Sequence, residues 1–369
     1  IGAGAAQLPD APGLAVIVDV PRWQPTLPSA ASAEVPGAAI AAPSPSAAAF
    51  WAALRHVEAH IGEWVVAGQS FPKVTLQATH EDNGLRIDLM GETLQGRVTV
   101  PDQPTPDRPV NAALQRLALR YAAASDPDET RAAGLSDAKL RQLPPLVVTV
   151  ADLRLNDKAM GRLRLITEPQ SGGQRLKDFE LNSEQLRVEA SGEWRQTGNG
   201  TVSRLQATGQ TQSLGDTLAA FGYDELGIAR GRTQAELTVE WAGTPADFAL
   251  DRLAGRLKFQ VGPGQLLDID PGMGRVVGLF NVQNLLRRLT LDFSDLFQPG
   301  MGFDRISGVF DFRRGQAFTD DLTIDAPAAQ ILIQGRTGLK ARDYDQEITV
   351  TPHLGGALPV AGALAGGPA

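Results

Sequence analysis

From Trp64 onward the chain alternates apolar and polar residues with a period of two. Val74, Leu76 and Ala78 form one such set. After the turn signal Asp82-Asn83-Gly84 come Leu85, Ile87 and Leu89, and then Val98 and Val100. Successive side chains of a strand point to opposite faces, so the pattern predicts an antiparallel meander with one dry and one wet face. The alternation resumes at Leu146 with Val148 and Val150, Leu153 and Leu155, Leu163 and Leu165, Phe179 and Leu181, Leu186 and Val188, and the stretch Val202 to Ala207. It continues through Leu237 and Val239, Leu257 and Phe259, Phe310 and Phe312, Leu322 and Ile324, and Ile331 and Ile333.

Other segments break the pattern. Leu14 to Val20 reads as a single strand, and residues 24 to 46 collect Pro25, Pro28, Pro36, Pro43 and Pro45 among Ala and Ser, as a linker or surface loop does. Ser46 is placed to cap a helix with Phe50, Leu54, Val57 and Ile61 on one face. Pro101 to Pro109 reads as a loop and residues 122 to 145 as an exposed insertion. Leu214, Leu218 and Phe221 share a helical face over Ser213 to Phe221, and a longer helix is predicted over Arg275 to Leu289. Three regions follow: 1–60, a short strand, Pro/Ala-rich linker and helix; 61–209, a sheet segment carrying the insertion; and 210–369, a second β segment with the 275–289 helix.

An alternating strand that stops at Gly recurs: Leu-Arg-Ile-Asp-Leu-Met-Gly at 85–91, Leu-Arg-Val-Glu-Ala-Ser-Gly at 186–192 and Ile-Leu-Ile-Gln-Gly at 331–335. Repetition strand by strand suggests one elongated sheet, and glycines within strands mark the bulges that curl a sheet into a trough. The fold class expected is therefore mainly β, a long curled antiparallel sheet forming a groove, with a few short helices.

Composition narrows the chemistry. A net charge of −8 with no clustered Lys and Arg argues against a nucleic-acid partner. The absence of Cys removes disulfides, thiol catalysis and Cys-based zinc sites, and suits an oxidising compartment. The chain opens at Ile1 without a charged leader and has no run long enough to span a bilayer, which reads as a fragment of something larger. The charge-free stretch Leu354 to Ala369 is broken by Gly and Pro and reads as a truncated tail.

Several motifs invite sharper readings that their context weakens. Gly272-Met273-Gly274-Arg275-Val276-Val277-Gly278 follows the short strand Leu266 to Ile269 and precedes Asp292, as a dinucleotide loop would, yet Pro271 intrudes and the neighbours are a meander. His56 and His60 lie four apart near Glu58 and Glu63, but the His-Glu-x-x-His order is missing, so a solvated helix face is expected instead of a metal site. Asp320-Asp321 with Asp325, and Asp268 with Asp270, are acid pairs of the kind that usually sit in solvated turns. Trp194 and Trp241 end strands, where packing is the expected role. No catalytic residue, metal or cofactor is expected, and replacing Asp320 and Asp321 is expected to leave function intact.

The C-terminal half carries a resemblance in Gly215-Asp216-Thr217-Leu218, Phe221-Gly222-Tyr223, Leu237-Thr238-Val239-Glu240-Trp241, Leu253-Ala254-Gly255 and Pro271-Gly272-Met273-Gly274-Arg275. It continues in Arg287-Arg288-Leu289-Thr290-Leu291-Asp292-Phe293, Asp295-Leu296-Phe297, Gly302-Phe303-Asp304 and the terminal stretch from Pro359 to Pro368. These segments resemble the YhdP branch of the AsmA-like envelope proteins. Looser similarity runs through 64–100, Leu143-Pro144-Pro145-Leu146 and Gly192-Glu193-Trp194. The resemblance implies a repeating β-groove, a phospholipid guest moved between inner and outer membrane, and the periplasmic portion of an inner-membrane-anchored protein. A competing expectation is a scaffold module that docks an outer-membrane or envelope partner through its sheet edge without carrying lipid.

The groove candidates are Val74, Leu76, Leu85, Ile87, Leu89, Leu153, Leu155, Leu163, Leu165, Leu186, Val188, Leu237, Val239, Leu257, Phe259, Phe310, Phe312, Leu322, Ile324, Ile331 and Ile333. Roughly 18 to 20 strands at about 4.8 Å spacing would make a trough on the order of 90 Å long. Burying an acyl chain of about sixteen carbons at about 0.8 kcal/mol per methylene is worth on the order of 10 kcal/mol. An unpaired carboxylate on that surface would cost several kcal/mol, so the charged residues are expected to face water.

Overall fold

The computed structural model describes residues 14–24, 54–66, 69–81, 83–120, 143–198, 200–221, 227–267, 301–341 and 343–353. The strands of the first half are β1 (Leu14–Trp23), β2 (Leu54–Val66), β3 (Gln69–Glu81), β4 (Gly84–Met90), β5 (Leu94–Pro101), β6 (Val110–Leu119), β7 (Leu146–Leu155), β8 (Lys158–Gln170), β9 (Gly173–Asn182) and β10 (Leu186–Thr197). The second half contributes β11 (Gly200–Thr211), helix α1 (Leu214–Ala220), β12 (Ile228–Arg230), β13 (Thr233–Ala242), β14 (Ala254–Val261), β15 (Gly264–Leu266), β16 (Met301–Phe303), β17 (Arg305–Arg313), β18 (Gln316–Asp325), β19 (Ala329–Gly338) and β20 (Asp343–Pro352).

Seventeen of these strands form one sheet. Each strand from β1 to β11 pairs with its neighbour in sequence, and the ladder continues through β13, β14, β17, β18, β19 and β20. Among the described residues β1 and β20 do not pair with each other, so the sheet is open. The expectation of a mainly β chain built on one long sheet holds. Seventeen strands in place of 18 to 20 shorten its breadth to about 75 Å at about 4.8 Å per step. The short strands β12, β15 and β16 form a second, three-stranded sheet.

The ladder is not wholly antiparallel as expected: β1 pairs with β2, and β6 with β7, in parallel. A parallel pair needs a connection that returns the chain to its starting end. The two connections are the Pro-rich stretch after β1 and the stretch read as an insertion after β6; residues 25–53 and 121–142 lie outside the described set.

The helix expected from Ser46 is overturned from Leu54 onward, where the chain is strand β2. The physical reason is Ala59. Val57, Ala59 and Ile61 are on one face and His56, Glu58 and His60 on the other, which is the period of two once Ala is counted as apolar. Residues 46–53, the 275–289 helix, the glycine motif at 272–278, Asp268, Asp270 and the tail from 354 also lie outside the described set. The short helix after Ser213 is present as α1, with the Ser213 hydroxyl accepting from the Asp216 amide at 3.3 Å.

Buried apolar side chains gather in three clusters along the sheet. Ile61, Phe71, Val74, Leu76, Leu89 and Leu94 form the first, over β2–β5. Val150, Leu153, Met160, Leu181, Leu186 and Ala220 form the second. Leu114, Leu117 and Leu119 of β6 pack against both and join them. The third spans β13 to β19 and includes Val239, Val261, Phe310, Phe312, Ile324 and Ile331.

Two of the three strand-breaking glycines lie at register shifts, while Gly91 falls in the turn between β4 and β5. Gly192 lies at a register shift between β9 and β10, and Gly335 pairs with Thr319 where the β18–β19 register slips. Gly335 has φ +127°, and a Cβ there would lie 2.3 Å from the Asp345 carbonyl oxygen. Gly335→Ala should therefore destabilise the C-terminal strands by about 1–3 kcal/mol, read as a lower urea midpoint with an unchanged circular-dichroism spectrum before the transition.

Candidate functional site

Cross-strand register converts the scattered apolar pairs into continuous rows. One row takes a single residue from each strand: Val16, Val57, Ala78, Ile87, Val98, Ala112, Val148, Leu165, Phe179, Ala190, Ala207, Leu237, Leu257 and Phe310. Two residues along each strand runs a second: Val18, Ala59, Leu76, Leu89, Gly96, Leu114, Val150, Leu163, Leu181, Val188, Gly209, Ala235, Phe259 and Gly308. No polar residue interrupts either row. Opposed side chains on one face sit about 5 Å apart, close enough for each to touch the next.

Exposure varies along these rows in a regular way. Every member of the first row from Val16 to Leu257 is half-buried, and only Phe310 is sealed, at 1% exposure. The flanking positions toward the strand ends are more buried: Met160 and Thr167 on β8, Leu186 and Trp194 on β10, Thr211 and Ser203 on β11, Thr233 and Trp241 on β13. The first row is thus the most accessible part of the apolar face, whereas Leu76, Leu89, Gly96, Val150 and Leu181 of the second row are buried.

The sequence-predicted residues fall on this face in two groups. Leu85, Ile87, Leu155, Leu163, Leu165, Val188, Leu237, Leu257 and Phe259 are half-buried, whereas Val74, Leu76, Leu89, Leu153, Leu186, Val239, Phe310, Phe312, Leu322, Ile324, Ile331 and Ile333 are buried in the clusters. Leu153 and Leu155 are out of phase with Val148 and Val150 in sequence. A register shift between Val150 and Leu153 restores them to the same cluster. The groove candidates left out the small members of the rows, Ala78, Ala112, Ala190, Ala207, Gly209 and Ala235, and the β1–β2 contribution. The signal was there, since each stands in phase with the larger residues of its strand.

The opposite face is charged and paired across strands. Arg86 bridges Glu81 and Asp88, and Asp88 also meets Arg97. Arg116 and Arg154 share Asp152, Glu193 lies between Arg195 and Arg204, and Arg204 reaches Glu240. Arg256 donates to Asp311 through two hydrogen bonds, at 2.8 and 3.3 Å, which raises the Arg256 pKa. Among the described residues the buried polar side chains are Thr, Ser and Gln, with no Asp, Glu, Lys or Arg.

The sharper motifs resolve into structure. His56 and His60 face β3, with Nδ1 of each within reach of the Thr79 and Thr75 hydroxyls, and their surface is a strand, not the expected helix. No group of three or more His, Asp or Glu among the described residues is arranged to hold a metal ion. Asp321 accepts from the Val309 amide at 2.8 Å, beside the register shift between β17 and β18. The carboxylate satisfies a backbone donor that the bulge leaves without its strand partner. Trp194 and Trp241 both register on Ser203 and are buried at the strand ends, with Trp241 Nε1 donating to the Thr244 carbonyl at 2.8 Å.

The described residues thus define a mainly β protein whose open sheet carries apolar rows on one face and ion pairs on the other. The chain belongs to the YhdP family, whose model matches residues 1–369. It is 29% identical over 183 residues to the intermembrane phospholipid transporter YhdP of Escherichia coli strain K12, covering 49% of this chain and 14% of that protein. The chain thus spans well under a fifth of that relative's length. No solved structure matches. Among the described residues no helix is long and apolar enough to cross a membrane.

The edge of the sheet carries a pH-sensitive contact. Hydrogen bonding from Arg336 lowers the Asp343 pKa, with Arg336 Nη1 at 3.0 Å and Nη2 at 3.2 Å from its two oxygens. A lowered carboxyl pKa stabilises the fold above the unfolded-state value, and that contribution is lost as pH falls through the folded-state value. Asp343→Asn should lower the thermal midpoint slightly at neutral pH, with the gap to the unaltered protein closing in acid. Both residues are solvent-accessible and screened, so the effect is small.

Proposed function

We propose that this segment carries phospholipid in the periplasm between the inner and outer membranes, shielding acyl chains along the half-buried apolar row while headgroups stay at the open side. The observation that supports this most is the thirteen-strand run of half-buried apolar residues from Val16 to Leu257. At about 4.8 Å per strand it is about 58 Å long, more than the about 45 Å thickness of a bilayer with its headgroups. Covering an acyl chain of about sixteen carbons is worth on the order of 10 kcal/mol, enough to hold a lipid outside a membrane without covalent chemistry. The family relative named as a phospholipid transporter gives the guest its class. The larger protein supplies the membrane anchor in this reading, and the residues named on the two rows are the candidate lipid contacts.

The half-buried floor separates the effect on binding from the effect on folding better than the sealed cluster does. Ile331 at 2% exposure is structural, and a charge there would unfold the C-terminal strands. Ala207 and Gln206 are neighbours on opposite faces, Ala207 half-buried and Gln206 exposed. Ala207→Asp and Leu257→Asp should abolish phospholipid co-purification, measured by organic extraction and mass spectrometry, while Gln206→Asp should leave it unchanged. Unaltered protein that yields no phospholipid under the same extraction would remove the transport reading and favour a scaffold that docks a partner through its sheet edge.

A further inference from the structure

The accessible row stops abruptly. Leu257 on β14 is half-buried, its partner Phe310 on β17 is 1% exposed, and beyond it Phe312, Leu322, Ile324, Ile331 and Ile333 are all at or below 5%. Side chains on a single bare sheet face do not become this dry, so a second layer must cover them.

That layer is present. Leu214 of α1, Ile228 of β12, Leu266 of β15 and Phe303 of β16 pack into the same cluster as Val261, Phe310 and Ile324. The helix sits so close to β12 that a Cβ on Gly215 would lie 2.2 Å from the Ile228 carbonyl oxygen, and Gly264 is pressed against the Phe303 ring. Phe259, the last accessible member of the second row, stacks on Phe310 with ring centroids 5.9 Å apart and planes 8° from parallel.

The other end of α1 packs at Ala220 into the second cluster, over β7 to β10, so only its Leu214 end reaches this one. We infer that the β12–β15–β16 sheet, with the Leu214 end of α1, forms an end-cap that closes the apolar surface at the Phe259–Phe310 stack. The lipid-accessible path then runs from β1 to β14 and terminates there, and a phospholipid that reaches β14 leaves through the open side because the floor ahead is occupied by the protein's own side chains. This rests on the lipid-carrying reading and adds a defined terminus to it.

The test places the photoreactive residue p-benzoylphenylalanine at phenylalanines on either side of the cap, in the full-length protein. Phe179 lies on the open row, and Phe310 is the first sealed residue of the same row. The protein is irradiated with vesicles of phosphatidylethanolamine and phosphatidylglycerol carrying a radiolabelled phospholipid. Strong labelling at Phe179 with background labelling at Phe310 is expected, and Phe303→Ala should bring labelling to Phe310. Equal labelling at both sites in the unaltered protein would overturn the cap while leaving lipid carriage standing. Labelling at neither site would overturn lipid carriage itself. Labelling confined to Phe179 even with Phe303→Ala, or the milder Phe303→Leu if the first variant loses its Phe179 signal, would overturn the cap's role as the stop.

Discussion

Backbone hydrogen bonding between strands fixes the faces of this protein. Each strand of the long sheet satisfies its amides by pairing with its neighbours, and that pairing commits every side chain to one face or the other. A slip of β13 by one residue against β11 would carry Leu237 to the water and bring Glu236 and Glu240 onto the apolar face beside Ala207. Burying such charges without partners costs several kcal/mol each, so the register is held jointly by the dry face and by the ion pairs across the wet one. The individual surface ion pairs contribute little to stability. Their value lies in making the wrong register expensive.

A face committed to apolar side chains must be covered or used. Where α1 and the small sheet lie over it, the cluster from Val261 to Ile333 is as dry as a globular core. Elsewhere the strand ends are closed by buried residues such as Met160, Leu186, Trp194 and Trp241, and the row from Val16 to Leu257 stays half open. Small residues at the centre, Ala190, Ala207, Gly209 and Ala235, leave space above the floor where larger ones would fill it. The protein thus has a folded core at one end and an unfilled apolar surface along the remainder, made from the same alternating pattern.

The edges differ in the same spirit. β20 exposes Asp343, Asp345 and Glu347, charges that discourage another strand from adding there. β1 exposes Ile17 at 58% and Val18 at 38% and carries few charges. It extends both apolar rows to the rim of the sheet.

Alternation alone determined that this chain is a β protein with one apolar and one charged face, because a period of two has a single geometric meaning along a strand. Ala and Gly carry too little hydrophobic signal to mark a strand by themselves, which is why β2 read as a helix until Ala59 was placed beside Val57 and Ile61. The paired pattern could not specify the parallel pairings of β1–β2 and β6–β7, since direction depends on connections that bring distant segments together. Nor could it foresee the bulges that restore Leu153 to the face of Val150. Which apolar residues stay accessible and which are sealed was decided by tertiary structure, because Leu257 and Phe310 are alike in sequence pattern and differ only in what lies above them.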